Sequence, residues 1–201
     1  ASSFIYVAAR GELIGVIESS DPIRPDFKRA INRLRYSGVD EIVMLTGDNK
    51  TTASQIAKSL GIDRYEAEVM PEDKAGFVTD AQRRSSVLMV GDGVNDAPAL
   101  AYADVGVAMG SGCTDTAMET ADVTINSEDP LKLPEFISLG KRTMRIVQQN
   151  FAATVAINTA AMTMGALGFI NPLFSSIIHN ASTLGVVLNS TRLLRKQKTR
   201  E

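Results

Sequence analysis

The chain of 201 residues is long enough for one ordinary domain, or one domain with an appendage, and its net charge of −2 gives no sign of a nucleic-acid partner. One cysteine, Cys113, excludes an internal disulfide and a cysteine-built zinc site, and one histidine, His179, excludes a histidine cluster. The mean hydropathy of +0.01 hides a segregation, because most of the charge lies before residue 150 and residues 151–191 carry none.

The opening "ASSFIYVAARGELIGVIESS" has no basic leader of a secretory signal and begins within a strand-like run, as a piece of a longer polypeptide would. "SFIYVA" and "ELIGVIES" predict a hairpin. The two prolines of "DPIRPD" stop any strand and prepare a helix start at Asp26. "FKRAINRLRYSGV" places Phe27, Ile31 and Leu34 at helical spacing and stops on Gly38.

A strand–helix alternation follows. "EIVMLTG" reads as a strand and "NKTTASQIAKSLG" as a helix closed by Gly61. "YEAEV" is a short strand, and "PEDKAGFVTDAQRR" a helix with Pro71 in its first turn. "SVLMVGDG", "DVGVAM" and "DVTIN" are strands, separated by the helices "NDAPALAYA" and "CTDTAMETA". The rhythm predicts an α/β fold with a parallel sheet and any site at the strands' C-terminal ends.

From Pro130 an amphipathic, basic helix runs to about residue 150. The uncharged run 151–170 and the more polar "LFSSIIHNASTLGVVLNSTRLL" are each about as long as a bilayer core is thick, and "NP" divides them. Lys141, Arg142 and Arg145 precede the first run, and Arg192, Arg195, Lys196, Lys198 and Arg200 follow the second, while the turn around Gly168–Pro172 has no charge. That distribution predicts a two-helix transmembrane hairpin with both ends cytoplasmic. A buried hairpin in a soluble protein is the alternative.

Three motifs sit where the alternation predicts a site. "LTGDN" puts Thr46, Gly47 and Asp48 past one strand, offering a hydroxyl and approachable N–H groups to a phosphoryl oxygen. "PEDK" places Lys74 as a point charge on the next helix. "GDGVND" puts Asp92 and Asp96 four residues apart, a pairing suited to Mg²⁺ and repulsive without a cation. Each has an ordinary reading too: a turn, a solvated lysine, a capping loop. Their order, each at a strand's end or on the intervening helix, favours the functional one.

These residues carry a resemblance. "GDGVNDAPAL", "TGDN", "DPIRPD" and "ADVGVAMGSGCTDTAMETADV" are similar to the phosphorylation domain of P-type ATPases, cation pumps whose core has the haloacid-dehalogenase fold. Their order, with two spans to the end, resembles the heavy-metal-transporting (type IB) branch. The resemblance implies the end of a nucleotide-binding domain and return strand at 1–18 and the second part of the phosphorylation domain at 19–129. A connecting helix at 130–150, two membrane helices at 151–194 and a cytoplasmic tail at 195–201 would follow. It implies Mg²⁺ as cofactor and ATP as substrate, bound mainly by the rest of the same ATPase chain. Thr46 and Gly47 would hold the phosphoryl group, Lys74 offset its charge, and Asp48 lie near nucleotide or metal. Asp92 would bind Mg²⁺, with Asn95 and Asp96 completing the pocket, and Asp21 and Arg24 would sit at a hinge.

The family's nucleophile, the Asp of "DKTGT", does not occur in the sequence. The chain alone is therefore expected neither to pump nor to phosphorylate itself. In the second span, "HNAST" offers His179, Asn180, Ser182 and Thr183, either as helix-packing groups or as ligands of a transported ion. It resembles the "HEGGT" of cobalt-type pumps with Asn180 in place of Glu. That leans away from Cu⁺ toward a divalent transition-metal ion. The implied setting is the lipid bilayer of a plasma or inner membrane. A membrane-anchored phosphatase of the same fold, and a nonenzymatic membrane module, remain as alternatives.

Overall fold

The computed structural model describes residues 2–20, 23–93, 95–111 and 115–194. Two compact units divide the chain, residues 1–135 and residues 136–201.

The first unit begins with the predicted hairpin, β1 (Ser2–Ala9) antiparallel to β2 (Glu12–Ser20), with a register shift between Val7 and Ala8. Its two-residue turn has positive φ at both Arg10 (51°) and Gly11 (84°), the twist that a tight hairpin requires. Helix α1 (Asp26–Tyr36) starts after Pro25 and buries Ala30, Ile31 and Leu34. Phe27, expected on that buried face, is exposed, and Ala30 takes its place. Asn49 caps α2 (Lys50–Leu60) by accepting from Thr52 N–H at 2.9 Å, and Gly61 ends it at φ 74°.

The sheet is parallel, as expected, but in two pieces. β3 (Val43–Leu45) pairs with β4 (Arg64–Glu66), while β5 (Leu88–Gly91), β6 (Val105–Met109) and β7 (Val123–Ile125) form a separate ladder in that order. Helices α3 (Pro71–Gln82), α4 (Ala97–Tyr102) and α5 (Asp115–Thr120) alternate with the strands. Leu100, Ala108 and Ala117 form a fully buried cluster, with Met89 and Ala121 packed on it.

One device recurs at the strand starts. Asp63, Asp104 and Asp122 immediately precede β4, β6 and β7. Each carboxylate accepts a backbone N–H from the start of the neighbouring strand: Ile42 at 2.9 Å, Val87 at 2.7 Å and Gly106 at 2.8 Å. These donors lie at or beside the ends of the ladders, and the acceptors set the stagger at which each pair begins.

In the second unit the expected connecting helix and first span are one continuous helix, α6 (Lys132–Ala166), which begins within the first unit. Gly168, at φ 77°, turns the chain, and Asn171 caps α7 (Pro172–Ser190) by accepting from Phe174 N–H at 3.0 Å. A short 3₁₀ turn, Thr191–Leu194, follows. Among the described residues no helix is long and apolar enough to cross a membrane. The uncharged run stops being helical at Ala166, and α7 carries His179, Asn180 and Asn189.

Candidate active site

The loop after β3 is built by backbone first. Thr46 N–H donates to Glu66 O at 3.0 Å, extending the β3–β4 ladder by one residue, and Thr46 O accepts from Val69 N–H at 3.0 Å. Met70, next to Val69, occupies the position just before α3, so the start of the helix that bears Lys74 is tied to the end of β3. The Thr46 hydroxyl donates to Asp48 Oδ2 at 3.0 Å and accepts from Asp48 N–H at 3.1 Å. Asp48 O accepts from the N–H of Glu68, which adopts φ 60°. A Cβ on Gly47 would meet only Val69 O, at an ordinary 3.7 Å. No packing constraint therefore demands glycine there, and its exposed backbone leaves room for an anion's approach. Asn49 follows at the N-terminus of α2, the positive end of that helix's dipole.

The loop after β5 does need its glycines. A Cβ on Gly91 would lie 2.5 Å from Asp96 Oδ2, and one on Gly93, at φ 79°, would lie 1.9 Å from Ala117 Cβ. Asp96 folds back under Gly91 and meets Lys74, with Nζ 2.6 Å from Oδ1. At 15% and 13% exposure this is the most sheltered ion pair among the described residues. The sequence placed Lys74 against phosphate and Asp96 among metal ligands; the structure draws them first to each other. Asp92 and Asn95 are exposed at the loop's outer face, and Val94 between them lies outside the described residues.

No group of three or more His, Cys, Asp or Glu among the described residues is arranged to hold a metal by itself. The donors present still fit Mg²⁺, which takes one or two carboxylates and completes its shell with water and phosphate oxygens. Asp92 is the more exposed of the two carboxylates, and Asp96 faces Lys74.

Asp21 lies outside the described residues. Arg24 makes an ion pair with Glu128 Oε2 at 2.7 Å, and Nη1 donates to Glu128 O at 3.3 Å. Ser111 Oγ donates to Glu128 Oε1 at 2.6 Å. The Ser111 hydroxyl first, and the Arg24 guanidinium second, hold the Glu128 carboxyl below its usual value. Ser111 lies within "ADVGVAMGSGCTDTAMETADV" but is not singled out there, and Glu128 lies in no motif; only the acid–base complementarity with "DPIRPD" could have suggested Glu128.

On α7, Thr183 Oγ1 donates to His179 O at 3.2 Å, and His179 Nδ1 lies 3.4 Å from Asn158 Oδ1 of α6. Asn180 is exposed, and Ser182 lines a groove of about 560 Å³ between the helices with Asn150, Ile157 and Asn189. The four residues of "HNAST" thus do not converge on one point: His179 faces Asn158 and Ser182 faces the groove.

A hydroxyl after one parallel strand, a helical lysine and a carboxylate loop after another define an α/β domain of the haloacid-dehalogenase type. The haloacid dehalogenase-like hydrolase family matches residues 2–104, and a second family of the same description matches 81–130. The manganese-exporting P-type ATPase of Mycobacterium leprae is 47% identical over 95% of this chain and 26% of its own length. The zinc-exporting P-type ATPase of Mycobacterium marinum is 46% identical over 97% of the chain and 27% of its own. A crystal structure of a zinc-transporting PIB-type ATPase in an E2·Pi state superposes with a TM-score of 0.87 at 33% identity, covering 96% of this chain and 32% of that one. The chain belongs to the haloacid dehalogenase-like hydrolase family and, within it, to the heavy-metal P-type ATPases. It spans about a quarter of the length of the curated relatives it matches.

Proposed function

We propose that these residues form part of an ATP-driven pump for a divalent transition-metal ion, supplying phosphate- and Mg²⁺-binding residues of its phosphorylation site and two of its membrane helices. The observation that carries the proposal is the sheltered Lys74–Asp96 pair at 2.6 Å, which joins the helix anchored to the Thr46 loop with the loop of Asp92. Thr46 Oγ1 and the N–H of Gly47 bind the phosphoryl oxygens. Lys74 shares its charge between Asp96 and the incoming phosphate, and Asp48 holds the Thr46 hydroxyl in place. Asp92, with Asn95 and Asp96 beside it, holds Mg²⁺, which when bound offsets charge on the transferring phosphoryl group.

The carboxylate that attacks the γ-phosphorus, forming an acyl phosphate and releasing ADP, comes from a segment outside these residues. The split sheet supports this assignment. Among the described residues β3 pairs only with β4, and β5 only with β6 and not β3. One further parallel strand between them would carry a carboxylate at its C-terminal end to the Thr46 and Asp92 loops. Without that strand the chain by itself is inactive. Arg24 and Asp21 serve as the hinge.

The helices α6 and α7 are placed in the bilayer of a plasma or inner membrane. Phe151, Met162, Leu173, Leu184 and Leu188 are all more than 65% exposed on the hairpin, which suits contact with lipid and further helices better than contact with water. His179, with Asn180, Ser182 and Thr183 nearby, lies on the ion's path, because neutral imidazole suits first-row divalent metals.

The test is phosphoenzyme formation from labelled ATP by the full-length protein across a panel of metal ions, Cu⁺ included. An acid-stable, hydroxylamine-sensitive label that appears with divalent ions and is lost in Asp92→Asn is expected. His179→Ala should raise the metal concentration needed for half-maximal labelling about tenfold, the loss of one ligand costing ~1.4 kcal/mol. No label with any ion would overturn the pump, and unchanged metal dependence in His179→Ala would overturn the ligand assignment alone.

A further inference from the structure

Three connecting segments of the first unit meet at one carboxylate. Arg24 lies between β2 and α1, Ser111 follows β6, and Glu128 lies between β7 and α6. Both oxygens of the Glu128 carboxylate are occupied, Oε2 by the Arg24 guanidinium at 2.7 Å and Oε1 by the Ser111 hydroxyl at 2.6 Å. Arg24 Nη1 also donates to the Glu128 carbonyl at 3.3 Å. The guanidinium thus grips one residue by side chain and backbone together, which fixes its direction as well as its distance.

Ser111 and Glu128 are themselves held to the sheet. Gly110 N–H donates to Ile125 O at 3.2 Å, carrying the β6–β7 ladder past the end of β6 and leaving Ser111 at its margin. Beyond β7, Ser127 N–H donates to Ile125 O at 2.8 Å and Asp129 N–H to Ser127 Oγ at 3.2 Å. Asp129 Oδ1 accepts from Leu131 N–H at 2.9 Å and its carbonyl from Lys132 N–H at 3.1 Å, so Glu128 sits in a turn bonded on both sides. Loops that follow parallel strands emerge on one side of the sheet. Asp92 follows β5, and β6 and β7 stand one and two strands further along. Two strand spacings put the anchor of Arg24 about 10 Å along the same rim from the Asp92 loop.

The hairpin β1–β2 shares no ladder with β3–β7 among the described residues. No strand pairing there limits the angle at which it leaves the sheets; the link at residues 21–25 does. Anchoring Arg24 leaves only residues 21–23 of that link to turn about. A shorter pivot narrows the volume swept by whatever the hairpin carries and raises its effective concentration at the rim.

We propose that Ser111 and Glu128 are positioning residues for phosphoryl transfer, holding Arg24 on the rim so that a nucleotide carried beyond the β1–β2 hairpin is presented to the Thr46 and Asp92 loops. The proposal rests on the pump reading above, with ATP borne by a segment outside these residues, and goes beyond it by giving the hinge a fixed side. The pair is 58% and 52% exposed, and so exposed a pair adds little to global stability; its loss is felt in positioning rather than in folding.

The test labels the full-length protein in two ways, from ATP with the metal ion that supports labelling in the panel above, and from inorganic phosphate without it. Phosphate reaches the Thr46 and Asp92 loops from solution, whereas ATP arrives on the hinged segment. Glu128→Ala should raise the ATP concentration for half-maximal labelling about fivefold with the maximal label unchanged, the size expected for one exposed but networked charge pair. Its dependence on inorganic phosphate should match that of the unaltered protein. Ser111→Ala should shift the ATP dependence the same way by about twofold. Arg24→Glu should weaken it at least as much as Glu128→Ala, and adding Glu128→Arg should bring it back toward the unaltered value. An unchanged ATP dependence in Glu128→Ala would overturn the proposal while label from both sources in the unaltered protein keeps the pump reading. So would ATP and phosphate dependences that rise together, which would mark damage to the site itself, or a reversed pair no better than Arg24→Glu by itself. Unaltered protein that takes label from neither source would remove the pump reading and the proposal with it.

Discussion

Asp63 stands at the foot of β4 with one carboxylate oxygen accepting Ile42 N–H at 2.9 Å and the other 2.9 Å from the Arg35 guanidinium. The backbone N–H is the chief cause that holds its carboxyl below the usual range, desolvation opposes it, and Arg35 adds to the lowering. A carboxyl with a depressed folded value contributes stability that is fully present above its unfolded pKa of about 3.9 and is lost as pH falls toward the folded value. Urea titrations should therefore show stability falling below about pH 4 more steeply in the unaltered protein than in Asp63→Ala. At neutral pH that variant should be less stable by about 1 kcal/mol, since it orphans a strand-end donor that is already partly solvated. Parallel pH profiles for the two proteins would show that the strand clamp carries no linked proton. Lys74 and Asp96 belong to the same scale with a different weight. The residue types were evident from "PEDK" and "GDGVND", but nothing in either motif specified that the two would pair.

At the scale of elements, the interlock of α4 with β6 is the tightest backbone approach in the first unit. A Cβ on Gly106 would sit 2.4 Å from Leu100 O, and Leu100 is itself only 1% exposed. Gly106→Ala must push a backbone carbonyl rather than a side-chain tip, so it should lower stability by about 3 kcal/mol, the upper part of the range for overpacking. A midpoint in chemical denaturation within error of the unaltered protein would show that α4 can slide. The elements themselves were largely legible in the sequence. Asn49 and Gly61 bracket α2, Pro71 opens α3, and short continuous apolar runs mark β3 and β5, because caps, prolines and local apolar runs act within a few residues. Boundaries set by partners were not. β4 ends at Glu66 rather than at Val69, because Val69 N–H is taken by Thr46 O. Phe27 matched the helical period of α1, yet the face that became buried is centred on Ala30, Ile31 and Leu34.

For the whole molecule the telling feature is the divided sheet. If a strand from outside these residues completes it, the outer backbone groups of β3 and β5 are bonded in the full-length protein and open in the 201-residue chain. Amide exchange at Val43–Leu45 and Leu88–Gly91 should then slow by about 100-fold or more in the full-length protein, a gain of ~3 kcal/mol in local opening energy, while β6, already paired on both sides, changes less. Equal exchange in the two proteins would mean that no strand enters there. The hairpin of α6 and α7 follows similar logic: its apolar faces were readable as uncharged runs, but their helical extent was decided by the turn at Gly168 and the cap at Asn171.

By itself the sequence determined the alternation of strands and helices, the side-chain types at Thr46, Lys74, Asp92 and Asp96, and the absence of aspartate and glutamate from residues 136–200. Composition and local spacing encode these without reference to distant residues. Only the tertiary structure decided that Lys74 meets Asp96, that Arg24 and Ser111 both meet Glu128, that three aspartates start the parallel ladders, and that Arg142 and Arg192 share one end of a hairpin. Each of these is a contact across at least 16 residues of sequence, and its geometry comes from the packing of whole elements, which no local pattern carries.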